Sequence, residues 1–182
     1  ECLVTYTYRL ASGKGRIRGR MTAADGKTSG AIFLVSTAAS SLNQQTPSLV
    51  WSGTNFVCAW QGEGLEGSGV SGFGIAVAAL DGNGKSTLQA ALANVAKDGN
   101  QAQPMLRVTA DGVMAMWGLP GVAIRRDFFA NGQPAEAGET SFGQSAASVV
   151  PAPRATTLVD GKVVLQFLSS ANGALQSFGL FR

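Results

Sequence analysis

The feature that most constrains this chain is that it repeats itself. Asn43-Gln44-Gln45-Thr46-Pro47 returns 57 residues later as Asn100-Gln101-Ala102-Gln103-Pro104, and thirteen positions after each proline stands a tryptophan, Trp60 and Trp117. A third copy runs from Pro153 to Phe167, fourteen positions apart, with an aromatic again closing the run. Regular self-similarity of this length marks units too small to bury their own apolar face, which must stack on a neighbour.

Each copy has the same internal grammar. An extended run follows the proline (Ser48–Trp51, Met105–Val108, Arg154–Leu158). A tight turn comes next, on Ser52-Gly53-Thr54-Asn55, Asp111-Gly112 or Asp160-Gly161, where Gly and Asn tolerate the positive φ that hairpin turns need. A very apolar strand follows: Phe56–Trp60, Val113–Trp117 or Val163–Phe167. A third strand (Arg16–Arg20, Phe73–Val77, Val122–Arg125, Leu175–Phe178) leads to a further turn at Asp25-Gly26, Asp81–Gly84 or Asn131-Gly132. A weaker fourth strand, such as Ala31–Val35, completes the unit. Four short antiparallel strands in roughly 50 residues is the arithmetic of a propeller blade. The expected fold is all-β, a β-propeller-like array of about four four-stranded antiparallel units, with approximate limits 1–42, 43–99, 100–149 and 150–182. On this alignment Cys2–Tyr6 is a second strand and the chain stops after a third, so the array is expected to be incomplete at both ends and part of something longer.

Composition agrees with short strands and many turns: 24 glycines, 14% charged residues and 45% hydrophobic residues in 182. Leu88–Lys97 is the one stretch with helix-favouring residues. The net charge of +3 comes from scattered basic residues rather than a run, which argues against nucleic-acid binding. Histidine is absent, so Ser-His-Asp and Cys-His catalysis and imidazole metal sites are excluded. No segment has the apolar length of a membrane-spanning helix, and the strands are shorter than the roughly 9–11 residues of a membrane-barrel strand.

Residues 43–69, from Asn43-Gln44-Gln45-Thr46-Pro47 through Trp60 to the glycine-rich Gly62-Glu63-Gly64-Leu65-Glu66-Gly67-Ser68-Gly69, resemble repeats of large bacterial secreted and surface proteins. The other units drift from that pattern: no Trp follows Pro153, and Met21 stands where the family often has Arg. The resemblance implies a propeller-like fold, an adhesive or scaffolding role, and an extracellular, periplasmic or cell-surface location.

Few residues stand out as chemistry. Asp81-Gly82-Asn83-Gly84-Lys85-Ser86 ends like a phosphate-binding loop, but the pattern needs Gly where Ala79 stands, and the repeat assigns this stretch to a hairpin. Asp25, Asp81, Asp111 and Asp160 adjoin glycines and are read as turn formers. Glu63 and Glu66 lie in a glycine-rich loop, expected to be exposed, where two carboxylates suit calcium or a sugar hydroxyl. Arg16, Arg18 and Arg20 alternate, so on a strand they share one face and suit a carboxylate, sulfate or phosphate, or else a solvated outer strand. Trp60 and Trp117 recur at one repeat position and read as packing between units, which leaves Trp51 as the exposed sugar-stacking candidate. Cys2 and Cys58 fall two positions out of register in equivalent strands, a blade apart and beyond disulfide reach. They are expected as buried free thiols, or as paired with other sequence.

The expected function is a non-catalytic binding or assembly module of a larger extracytoplasmic bacterial protein or complex, with no catalytic residues, resident metal or other cofactor. Ligand-binding candidates are Arg16, Arg18, Arg20, Trp51, Glu63 and Glu66. Its partners would be other protein chains, or other parts of the same polypeptide, that complete the terminal blades, with a glycan as a further ligand. The alternative is a lectin-like carbohydrate-binding domain or a propeller-type glycan hydrolase, the latter needing a carboxylate pair such as Glu63 and Asp127 roughly 5–10 Å apart.

Overall fold

The computed structural model describes residues 2–27, 30–36, 43–67, 72–97, 99–120, 122–142, 154–157, 163–168 and 175–180. Pro153, the Asp160-Gly161 turn and residues 68–71 of the glycine-rich loop lie outside them. Among the described residues there are strands and turns but no helix. In chain order the strands are β1 (Cys2–Arg9), β2 (Gly15–Thr22), β3 (Phe33–Leu34), β4 (Gln44–Trp51), β5 (Phe56–Glu63), β6 (Phe73–Leu80) and β7 (Ser86–Leu92). They continue as β8 (Ala102–Thr109), β9 (Gly112–Leu119), β10 (Val122–Phe128), β11 (Thr140–Phe142), β12 (Arg154–Thr157), β13 (Val163–Leu168) and β14 (Leu175–Leu180). They form four antiparallel meanders: β1-β2-β3, β4-β5-β6-β7, β8-β9-β10-β11 and β12-β13-β14.

The turns behave as their residue types dictate. Asp81 Oδ1 accepts the amides of Asn83 and Lys85, both at 2.9 Å, and Gly84 takes φ 80°. Asp25 and Asn131 do the same for Lys27 and Gln133. The Gly84-Lys85-Ser86 sequence is therefore a β6–β7 hairpin and not a phosphate loop. Leu88 and its neighbours form β7, whose alternating exposure shows that a half-buried outer strand overrides their helical preference. The expected fourth strand over Ala31–Val35 shrinks to Phe33–Leu34, because Val35 and Ser36 turn inward and both donate to Ile17 O.

The repeated Asn-Gln-x-x-Pro motif is the joint between sheets. Asn43 Oδ1 accepts the amide of Gly15 (2.8 Å), at the start of β2, and Asn100 Oδ1 accepts that of Phe73 (3.1 Å), at the start of β6. Three residues on, Thr46 and Gln103 adopt positive φ (54° and 56°), bulging β4 and β8 before the proline. Their amides donate back to the previous sheet, to Thr7 Oγ1 and Gln61 Oε1. The fourth strands end alike: Ile17 N donates to Ser36 Oγ (3.2 Å), and Ile75 N to Asn94 Oδ1 (2.7 Å).

Among the described residues two apolar cores lie between the sheets. Leu3, Ile17, Met21 and Val35 of the first sheet meet Cys58, Trp60, Ala76, Ala78 and Leu80 of the second. On its other face the second sheet sets Val57, Ala59, Ile75, Val77 and Ala79 against Leu106, Val113, Ala115, Trp117, Ile124 and Phe128 of the third. Trp60 and Trp117 are fully buried, each facing the preceding sheet. Because the second sheet is covered on both faces, β5 and β6 read as continuous apolar runs rather than alternating ones.

Candidate functional site

The first sheet is built differently from the next two. β2 alternates strictly: Ile17, Gly19 and Met21 point into the core, while Arg16, Arg18 and Arg20 lie half-exposed on the opposite face. Across β1 they meet Tyr8, Tyr6 and Val4 in register. The Arg18 guanidinium stacks over the Tyr8 ring at 3.6 Å, and Arg20 Nε donates to Gly30 O at 3.2 Å. Val4 and Leu34 on this face are more than two-fifths exposed. The corresponding positions of the second sheet are Cys58 and Trp60 on β5 and Ala76 and Ala78 on β6, all buried. The face that packs against a preceding sheet in the second and third units is thus a guanidinium–tyrosine ladder in the first. Alternate residues on a strand are roughly 6.5–7 Å apart, and β1, β2 and β3 carry no acidic residue. Tyr6 and Tyr8 were not marked by the sequence, although their alternation opposite the arginines was its available signal.

Trp51, 45% exposed, stands at the end of β4 and tilts against Phe56 with ring centroids 4.7 Å apart. Together with Cys2, Leu3, Leu49, Val50 and Gly82 these rings line a cavity of about 530 Å³ between the first two sheets. Among the described residues no charged side chain lines it.

The two glutamates separate. Glu66 is buried, not exposed as the glycine-rich composition suggested: Asn94 Nδ2 donates to its Oε1 as well as to Ala96 O and, at 3.3 Å, to Gln101 Oε1. The physical reason is Gly74, whose missing Cβ leaves the space Glu66 Cγ occupies; a Cβ there would come within 2.9 Å. Glu63 Oε2 instead accepts the Asn43 amide at 3.4 Å. Among the described residues no three His, Cys, Asp or Glu side chains converge as a metal cluster.

The postulated catalytic pair does not exist. Asp127 forms a two-bond ion pair with Arg125 on its own strand. It lies opposite Met114, near the start of β9, whereas Glu63 ends β5 opposite Phe73. Gln103, near the start of β8, bonds Gln61, while Ser52, just after β4, bonds Ala130 beyond β10. The two carboxylates therefore sit toward opposite ends of neighbouring sheets, on the order of 20 Å apart at about 3.3 Å per residue.

Arg126, on the other face of β10, is buried between sheets and donates to Ala93 O (2.6 Å) and Glu136 O (3.2 Å), leaving its Nε unpartnered. Both cysteines are free thiols, but only Cys58 is buried; Cys2 is exposed, since among the described strands β1 pairs on one side alone, with β2. Burial pushes the Cys58 thiol up to about 12, against a smaller opposing effect of its hydrogen bond with Thr5. Among the described residues no helix is long and apolar enough to cross a membrane.

No protein-family model matches this chain, and no curated protein matches it. Among solved structures, the crystal structure of a thermostable family-43 glycoside hydrolase superposes on 99% of this chain and 72% of its own, with a TM-score of 0.59 and 11% identity. At that identity the likeness concerns the fold alone. The fold is all-β and propeller-like.

Proposed function

We propose that the chain is a non-catalytic binding or assembly module of an extracytoplasmic bacterial protein or complex, meeting its partner across the outer face of the first sheet. The observation that carries this reading is the replacement of a buried apolar face by Arg16, Arg18, Arg20, Tyr6 and Tyr8 at equivalent repeat positions. Guanidinium groups at this spacing suit a partner bearing repeated carboxylate, sulfate or phosphate oxygens, and stacking on Tyr8 pre-orders that of Arg18. The resemblance of residues 43–69 to repeats of bacterial secreted and surface proteins supports an extracellular, periplasmic or cell-surface setting. In the same reading the array has four units, and strands of other chains or of the same polypeptide complete the three-stranded ones.

Exposed Trp51 favours a second reading, a carbohydrate platform. Its surroundings argue against a polar sugar, since among the described residues the cavity wall offers only the Trp51 indole N–H and the Cys2 thiol as hydrogen-bonding side-chain groups. Glycan hydrolysis has a fold likeness in its favour, but the Glu63–Asp127 pair it was assigned is not assembled.

Retention on a sulfated-polysaccharide resin tests the anionic-partner reading. Replacing Arg16, Arg18 and Arg20 by Ser should move elution to markedly lower salt. Replacing Lys27, Lys85 and Lys97 by Ser, which removes the same charge elsewhere, should move it far less. Equal shifts would mean that net charge alone binds the resin.

A further inference from the structure

In the second and third sheets the second strand is flanked on both sides: β5 lies between β4 and β6, and β9 between β8 and β10. β1 holds the same place in the first sheet, since Thr7 and Gln61 accept the corresponding kink amides, yet among the described strands it pairs only with β2. The consequence is visible in burial. β5 and β9 are buried along almost their whole length, whereas Cys2, Val4, Tyr8 and Arg9 of β1 are exposed. Among the described residues β1 thus presents backbone donors and acceptors that no strand pairs on that edge, of the kind that template strand addition.

The register of β4 on β5 shows what would fit there. Val50 stands opposite Val57, and Trp51 opposite Phe56. Carried to the first sheet, where Leu3 takes the place of Val57 and Cys2 that of Phe56, the residue corresponding to Val50 would face Leu3. Val50 itself packs into the core between the second and third sheets. Between the first and second sheets, that location is the cavity of about 530 Å³ lined by Leu3, Leu49, Trp51 and Phe56.

We propose that the free edge of β1 and this adjoining cavity form one site for an extended polypeptide strand. The strand runs antiparallel to β1, bonds through its main chain, and inserts an aliphatic side chain between Leu3 and Trp51. This rests on the reading of the chain as an assembly module and locates one of its contacts; it is independent of the arginine ladder. The occupant has the chemistry of the chain's own first strands, a proline followed by an alternating segment with a branched aliphatic residue at the position of Val50.

The test uses a synthetic peptide carrying residues 43–55 and the alkylation of Cys2 by iodoacetamide. Cys58 is buried and its thiol is held up to about 12, so Cys2 alone reports. Saturating peptide should slow Cys2 alkylation roughly tenfold at about ten times its Kd. A peptide with Val50→Lys, and one N-methylated at alternate backbone positions, should leave the rate unchanged. The protein with Arg16, Arg18 and Arg20 all changed to Ser should be protected as well as the parent, so loss of anion binding and loss of strand binding are separate outcomes. An unchanged Cys2 rate at millimolar peptide overturns the proposal. So does peptide binding that leaves Cys2 reactive, which would mean exchange with β4, and so does equal protection by the Val50→Lys peptide.

Discussion

Trp60 and Trp117 occupy one position of the repeat, and the protein solves that position twice in different ways. Trp60 Nε1 donates to Gln44 Oε1 at 2.8 Å, while Trp117 Nε1 is buried without a partner. Gln101, the counterpart of Gln44, is engaged elsewhere: its Oε1 takes a bond from Asn94, and its Nε2 donates to Ala96 O. The difference starts one element earlier. In the first joint Ser36 accepts the Ile17 amide; in the second, Asn94 does the same for Ile75 and adds an amide group that ties Glu66, Ala96 and Gln101 together. The shared scaffold of the joint is backbone capping by Asn, while the polar network behind it is free to change. An orphaned buried donor costs roughly 1–3 kcal/mol, a cost the second joint carries and the first does not.

The coarsest way to break the comparison is to remove the rings. Trp60→Ala and Trp117→Ala should each cost about 3–5 kcal/mol in urea unfolding, since both empty an inter-sheet core. A large difference between them would show that one joint does not bear on global stability. The two cores should next separate in alkali. Cys58 lies in the first core, and its place in the second is taken by Ala115. Because the folded thiol titrates near 12 and the unfolded one near 9, the unfolded state loses its proton first. Stability therefore falls as pH rises from about 9 toward 12, by about 1.4 kcal/mol per pH unit. Cys58→Ala should flatten that part of the slope, measured by urea unfolding between pH 8 and 10.5 against the parent.

Asn94→Ala should cost about 1–3 kcal/mol, because it strips the buried Glu66 carboxylate of a donor and the Ile75 amide of its acceptor. Ser36→Ala, losing one bond, should cost about 1 kcal/mol. The finest distinction is Trp→Phe. Trp60→Phe removes the bond to Gln44 Oε1, whereas Trp117→Phe removes a donor that had no partner. The first should be about 1 kcal/mol the more destabilising after the similar loss of ring volume. Equal costs would mean that the Trp60–Gln44 bond contributes nothing net.

What was legible in the sequence is what is locally encoded. Strand order, hairpin turns and the shared face of Arg16, Arg18 and Arg20 follow from period-two alternation and from Gly, Asp and Asn at turns, and the buried tryptophans follow from the repeat. The motif Asn-Gln-x-x-Pro was visible as a signature, but its role was not, since the Asn side chains cap strands 27 or 28 residues away. Glu66 was misread because its burial depends on Gly74 and Asn94, which only the folded sheet brings to it. Cys2 was expected buried by analogy with Cys58. The analogy fails because burial of that strand comes from a flanking partner and a preceding sheet, neither of which alternation can report. The Glu63–Asp127 pairing failed for a related reason: residue types name chemistry, but only strand direction says which end of a sheet they occupy.

The contrast between a first sheet left open and later sheets closed on both sides can be measured by native-state hydrogen exchange. Alternate amides of β1 should exchange orders of magnitude faster than their counterparts in β5 and β9, because among the described strands β1 pairs with β2 alone. Protection of every β1 amide to the level of β5 would contradict an open first sheet, and with it both the half-exposed arginine ladder and the strand-binding edge.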